Sequence, residues 1–217
     1  WWDEEDLLGP QLLYRTLEDA DTQHRNFLVM GPWSHGSWLR PGGDSLGPVR
    51  FGSKSANFFR ARIQRPWFAW YLHGKGDGRF PEAQIFESGS NEWRALDTWP
   101  PKNTIPRRLY LRENGRLAFD RPRAAASSSV VGRLKASDAM HTDAFDAFVS
   151  DPAHPVPYIP RPDDGNGWNT WLVQDQRFVD NRPDVLTWTS DPLAEDLTVA
   201  GEVVAHLFAS TTGTDAD

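Results

Sequence analysis

Leu7, Leu8, Leu12, Leu13 and Leu17 recur at spacings of one and four, which predicts an amphipathic helix running from the acidic start of the chain toward Glu18. Asp3 opens that predicted helix, and the acids Glu4, Glu5 and Asp6 suit its positive end. A polar stretch then gives way to Asn26-Phe27-Leu28-Val29-Met30, an apolar run closed by Gly31-Pro32 that predicts a short buried strand. From Ser55 to Leu72, the positions Phe58, Phe59, Ile63, Trp67, Trp70 and Tyr71 fit one helical face. Pro66 lies inside that stretch and lacks the N–H that a helix interior needs, so a kink or two shorter helices are expected. Helix and strand in alternation point to α/β architecture.

After Gly74 the texture changes. Ala83 to Glu87 reads as a strand, Ser88-Gly89-Ser90-Asn91 as a turn, and Trp93 to Leu96 as the returning strand. Arg108 to Arg112 and Leu117 to Phe119 flank Glu113-Asn114-Gly115-Arg116, a hairpin signal because Asn-Gly tolerates the positive φ of a tight turn. Residues 122–137, rich in alanine and serine, read as a loop, and the proline-rich residues 151–164 read as extended chain. Two further strands are expected at Val185 to Thr189 and Glu202 to Ser210, separated by the acidic turn segment 190–196. Short strands between turns suggest a sandwich or jelly roll. The pattern therefore divides at Trp99-Pro100-Pro101-Lys102-Asn103 into an α/β segment, residues 1–103, and an all-β segment, residues 104–217.

Composition narrows the partners. Of the 217 residues, 39% are apolar and 24% charged, enough to bury a core. The net charge of −7 repels phosphate backbones, so no nucleic-acid partner is expected. No apolar run approaches the roughly 20 residues needed to cross a bilayer, and no membrane partner is expected either. The absence of cysteine excludes disulfides, thiolate zinc sites and a cysteine nucleophile. The chain opens on Trp1 without a leader pattern and stops just after a strand-like run, so we expect a piece of a longer protein.

Asp3 and His35 carry the candidate chemistry. They stand 32 positions apart, with a predicted helix, a predicted strand and a Gly-Pro turn between them. In α/β-hydrolases the acid and the histidine of a Ser–Asp–His triad occupy loops after successive late strands. The carboxylate orients the imidazole, which deprotonates the serine. On the residues alone, a surface acid and a structural histidine explain the pair as well. Gly43-Asp44-Ser45-Leu46-Gly47 matches G-x-S-x-G but lacks a buried strand before it and a helix directly after it, so Ser45 reads as part of a glycine-rich loop. His73 sits where a helix should end, and His206 should pack in a strand. His24, His141 and His154 have no metal-ligand spacing, and Asp163-Asp164-Gly165-Asn166-Gly167 departs from an EF-hand loop. Trp67, Trp70 and Trp93 read as core, and Trp168 and Trp171 as packing residues that could instead line a surface.

Trp2-Asp3-Glu4-Glu5-Asp6 and Leu28-Val29-Met30-Gly31-Pro32-Trp33-Ser34-His35 resemble the α-amino acid ester hydrolases, the β-lactam-antibiotic acylases of the wider cocaine-esterase and X-Pro dipeptidyl-peptidase group. The resemblance continues through Asn91-Glu92-Trp93-Arg94, residues 149–157 and residues 175–186, and reaches Ala209-Ser210-Thr211-Thr212-Gly213. It implies the C-terminal part of an α/β-hydrolase domain followed by the first part of a β jelly roll. It implies Asp3 as triad acid, His35 as triad base, and a nucleophilic serine and oxyanion hole upstream of Trp1. It further implies Glu5 and Asp6 as two members of a carboxylate cluster that holds the substrate's α-ammonium group, with Glu4 solvated. Carboxylates in a partly desolvated cleft attract a cation far more than in bulk water, and close neighbours raise one another's pKa. Helix-terminus complementation is the other explanation of those acids. The loop at Thr22-Gln23-His24-Arg25 departs from the family pattern, which bears on pocket shape.

The implied reaction is serine-hydrolase chemistry on α-amino acid esters and amides through an acyl-enzyme, resolved by water or a β-lactam nucleus amine, with no metal or organic cofactor. Relatives of this kind are exported and form homo-oligomers, so a periplasmic or secreted homo-oligomer is expected of the intact enzyme, and no activity of these 217 residues alone. The alternatives are a general carboxylesterase or X-Pro dipeptidyl-peptidase of the same group, and, from another class, a carbohydrate-binding jelly-roll module.

Overall fold

Pro10 starts a helix well, because its missing N–H would have no intrahelical partner there. It sits in the first turn of α1 (Gly9–Glu18). In this computed structural model, residues 3, 5, 7–121, 145–162 and 171–213 are described. They form two compact units: residues 1–104 with 158–175, and residues 105–157 with 176–217. The secondary structure is mixed, with three small sheets and few helices.

In the first unit, β1 (Leu28–Met30) pairs in parallel with β4 (Ala83–Glu87), and β4 pairs antiparallel with β5 (Glu92–Leu96). The expected hairpin is present, with Asn91 at φ 57° in its turn. Parallel pairing of β1 and β4 requires a crossover, supplied by the helices between them. Those helices are α2 (Ser55–Phe58), a π-helical turn (Phe59–Gln64) and α3 (Arg65–His73). Pro66 falls in the first turn of α3, so the interruption expected there is resolved as two short helices joined by a widened turn.

Successive β4 residues face opposite sides of the sheet, and both sides are covered. Ala83 and Ile85 pack with Leu28 and Tyr14, while Phe86 packs with Leu46 and Phe51. Leu46 belongs to β2 (Ser45–Leu46), which forms a small hairpin with β3 (Val49–Arg50).

Tyr14, rather than the leucine stripe, docks α1. Its ring is buried and its hydroxyl donates to Glu82 Oε1 at 2.7 Å, whereas Leu7, Leu8, Leu12, Leu13 and Leu17 are 42–60% exposed within the described structure. Burial is the main reason the Tyr14 hydroxyl and the Glu82 carboxyl both titrate above their ordinary ranges.

In the second unit, β6 (Tyr110–Arg112) and β7 (Arg116–Ala118) form the Asn-Gly hairpin, and β8 (Thr189–Ser190) adds in parallel to β7. Asn114 and Gly115 have φ of 58° and 66°. Gly115 is doubly constrained, because a Cβ there would lie 2.7 Å from the Thr187 carbonyl oxygen. Two expectations are corrected. The strand expected at Val185 to Thr189 is confined to Thr189–Ser190, and Glu202 to Ser210 has no regular secondary structure, with Val203 and Phe208 exposed. A strand exists through its ladder partner, and none pairs with residues 202–210 among the described residues. His206 is accordingly exposed beside Phe208 rather than packed in a sheet. The segment at residues 122–137, His141, Trp168 and the acidic loop at residues 163–167 lie outside the described residues.

Candidate active site

The carboxyl end of β1 runs into Gly31-Pro32-Trp33-Ser34-His35, so His35 leaves the C-terminal edge of a parallel strand, where α/β folds place their ligands. Trp33 folds back over Gly31 so closely that a Cβ on Gly31 would lie 2.1 Å from the indole, and only glycine fits. The Trp33 ring is buried against Phe59 and Trp93, and its Nε1 donates to Ser55 Oγ at 2.9 Å. Ser55, itself buried, donates to the Gly43 carbonyl. Gly36, at φ 66°, then turns the chain into a short 3-10 helix (Ser37–Leu39).

Side chains of the crossover helices clamp the far side of this loop. The Arg60 guanidinium donates to the carbonyl oxygens of Trp38 and Arg40 at 2.5 and 2.6 Å. Asn57 Oδ1 accepts from Gly42 N–H at 3.0 Å and from Arg60 Nη2 at 2.8 Å. Ser55, Asn57 and Arg60 are positioning residues that the hydrophobic pattern does not reveal. Their only sequence signal is polar side chains interleaved with Phe58, Phe59 and Ile63 along the crossover helices.

Asp3 meets His35 on this platform. The imidazole Nδ1 lies 3.2 Å from Asp3 Oδ1 and 3.1 Å from Oδ2. Glu5 N–H donates to Asp3 Oδ1 at 2.8 Å, a local bond that helps hold the carboxylate beside the ring. Asp3 itself stands six residues before α1 rather than at its opening. The side chain of Asp3 is 24% exposed and that of His35 50%. On the opposite edge of the ring, Glu5 Oε1 lies 3.8 Å from Nε2. No acid lies in the first turn of α1, so complementing the helix terminus does not account for Glu5. Asp6 lies outside the described residues.

With Nδ1 engaged by a carboxylate, the imidazole is held in the tautomer that leaves Nε2 able to accept a proton. The pair can therefore act as general base and acid toward a hydroxyl placed beside Nε2. Ser45 is not so placed by its local structure: it belongs to the β2–β3 hairpin and not to a strand-to-helix turn. His73 ends α3, as expected, and His154 Nδ1 pairs with Asp151 Oδ2 at 2.8 Å. Trp67, Trp70 and Trp93 are half-buried, and Trp171 packs edge-on against Tyr158. Among the described residues no three His, Asp or Glu side chains are grouped to hold a metal, and no helix is long and apolar enough to cross a membrane.

Residues 64–217 match the sequence profile of the X-Pro dipeptidyl-peptidase C-terminal non-catalytic domain. The chain belongs to that family. Asp3, Glu5 and His35 precede the matched region, so their context comes from longer relatives. The chain is 30% identical over 199 residues to the cocaine esterase of Rhodococcus sp. (strain MB1 Bresler), covering 88% of this chain and 31% of that protein. Its structure is similar to an α-amino acid ester hydrolase labelled with selenomethionine, with 38% identity, a TM-score of 0.75, and coverage of 92% of this chain and 31% of the other. It is also similar to an aminopeptidase from a marine sediment Thaumarchaeota archaeon, with 35% identity, a TM-score of 0.74, and coverage of 89% and 30%. The chain thus spans about a third of the length of these relatives.

Proposed function

We propose that these residues supply the acid and base of a serine hydrolase acting on esters and amides of α-amino acids. The observation that carries the proposal is Asp3 held against Nδ1 of a His35 that leaves the C-terminal edge of β1. His35 Nε2 takes the proton of a serine hydroxyl supplied by the part of the enzyme outside these residues, and Asp3 stabilises the imidazolium. The serine oxygen bonds to the acyl carbon, and the imidazolium then protonates the departing alcohol or amine. Water, or in acyl transfer a β-lactam nucleus amine, resolves the acyl-enzyme by the same proton steps in reverse. The domain order proposed is the C-terminal part of an α/β-hydrolase domain, residues 1–103, then the first part of a jelly roll, residues 104–217.

The amino-acid preference rests on Glu5, with Asp6 beside it in sequence. An α-ammonium group is one carbon from the reacting acyl carbon, so a carboxylate near Nε2 is within reach of it when the ester is in place. The names of two structural relatives, an aminopeptidase and an α-amino acid ester hydrolase, agree with that preference. The resemblance to cocaine esterase supports a second reading, a general carboxylesterase using the same pair without amino-group selectivity. The test is kcat/KM of the complete enzyme for phenylglycine methyl ester against phenylacetic methyl ester, which lacks only the amino group. A preference above about tenfold, or about 1.4 kcal/mol, supports the ammonium contact, and equal rates favour the general esterase. Export to the periplasm or medium and assembly into a homo-oligomer are part of the same proposal, checked by cell fractionation and light scattering.

A further inference from the structure

A cleft of about 490 Å³ opens between α3 and the loop that follows it, within the first unit. Four cations line it: Arg62, Arg65, Lys75 and Arg79. In a chain of net charge −7 this is an unusual concentration of one sign. The arginine ion pairs of the described structure lie elsewhere, at Arg94, Arg112, Arg116 and Arg182. Asp77 is the one acid among the lining residues, and its Oδ1 caps the Arg79 backbone N–H at 3.1 Å. Four like charges around one concavity repel one another and raise its affinity for an anion.

The walls are flat and fixed. Gly74, at φ 61°, closes α3 through bonds from Gly74 N–H to the Trp70 carbonyl at 2.8 Å and from Lys75 N–H to the Ala69 carbonyl at 3.0 Å. Gly78, at φ 68°, lies directly on the Trp70 indole, since a Cβ there would come within 2.5 Å of the ring. Phe80 stacks on Tyr71 with ring centroids 6.1 Å apart. The half-buried rings of Trp70 and Phe80, each packed against a neighbour in this way, line the cleft together with the four cations. A void of this volume suits a small molecule rather than an extended polymer, and guanidinium groups pair with carboxylates through two parallel hydrogen bonds.

We propose that this cleft is a binding site for an aromatic carboxylate, the carboxylate held by Arg65 and Arg79 and the ring system laid against Trp70 and Phe80. The test is calorimetric titration of the complete enzyme with 2-naphthoate, its neutral amide and inorganic phosphate. The proposal expects 2-naphthoate to bind at least about tenfold more tightly than the amide or phosphate. It also expects the double substitution Arg65→Gln with Arg79→Gln to remove that advantage while the thermal midpoint stays unchanged. A His35→Gln enzyme should bind 2-naphthoate as before, which separates this cleft from the site around His35. Equal binding of acid and amide, phosphate matching 2-naphthoate, or undiminished affinity in the double variant would each overturn the proposal.

Discussion

His35 Nδ1 sits almost equidistant from the two carboxylate oxygens of Asp3, at 3.2 and 3.1 Å, although the residues are 32 positions apart in sequence. A symmetric approach of this kind fixes the ring plane as well as the proton, and it leaves Nε2 facing Glu5. Replacing Asp3 by Asn keeps the shape of the side chain but offers an N–H to the ring and favours the wrong tautomer. In the complete enzyme Asp3→Asn should lower kcat by roughly 10⁴-fold with KM little changed, read from steady-state kinetics.

The platform under His35 should also matter to the rate, by a smaller factor than the pair itself. Ser55→Ala leaves the buried Trp33 Nε1 without its acceptor, which costs about 1–3 kcal/mol of stability. Arg60→Ala releases the carbonyls of Trp38 and Arg40 at the surface and should cost less in stability. Displacing the loop by about 1 Å is enough to lower kcat by up to about 100-fold. Thermal melting together with kcat separates the two effects.

Gly31→Ala should be among the most damaging single-methyl additions in the first unit. The added Cβ would overlap the Trp33 ring, and the ring cannot retreat because Phe59 and Trp93 flank it. Overpacking of this type costs about 1–3 kcal/mol, visible as a lower midpoint in denaturant unfolding.

Much of the fold was legible along the chain. The β4–β5 hairpin, the Asn-Gly turn and the interruption at Pro66 all follow from local chemistry, and each stands where that chemistry places it. On the residues alone the Asp3–His35 encounter was legible as a spacing, with an ordinary acid and histidine equally compatible, and it was the family resemblance that singled out the pair. What escaped the sequence depends on distant partners. The leucines of α1 show which face is apolar but not what covers it, and Tyr14 takes the docking role through a bond to Glu82. Residues 202–210 have strand-like residues without a ladder in the described structure, and the clamps from Asn57 and Arg60 link segments 15 to 22 positions apart.

Acid should weaken the second unit through two carboxylates. The Arg182 guanidinium holds the Asp184 carboxyl below the usual carboxylate range, and the hydrogen bond with His154 does the same for Asp151. A depressed folded-state pKa contributes stability above the ordinary carboxylate pKa, and the contribution is lost as pH falls through the folded value. Glu82 behaves oppositely: burial raises its pKa, so its ionised form costs stability at neutral pH and the cost disappears as pH falls through the raised value. Thermal melts from neutral to acid pH should show Asp184→Asn lowering the midpoint near neutrality and flattening the acid-side loss. Glu82→Gln should raise the midpoint near neutrality and lose that advantage in acid.

Ser45 provides an internal control. It lies on β2 of a small hairpin, so Ser45→Ala should leave kcat/KM of the complete enzyme within about twofold of wild type. The 217 residues expressed alone should turn over no ester. Turnover by them that Ser45→Ala abolished would move the nucleophile into this chain.

The most direct test is kcat/KM of the complete enzyme for an activated ester, compared between wild type and His35→Gln with folding verified by circular dichroism. Removing the base should cost at least about 10³-fold, leaving only what the oxyanion hole and substrate binding supply. A His35→Gln enzyme within about tenfold of wild type would show that His35 is not the base, and that its contact with Asp3 serves structure alone.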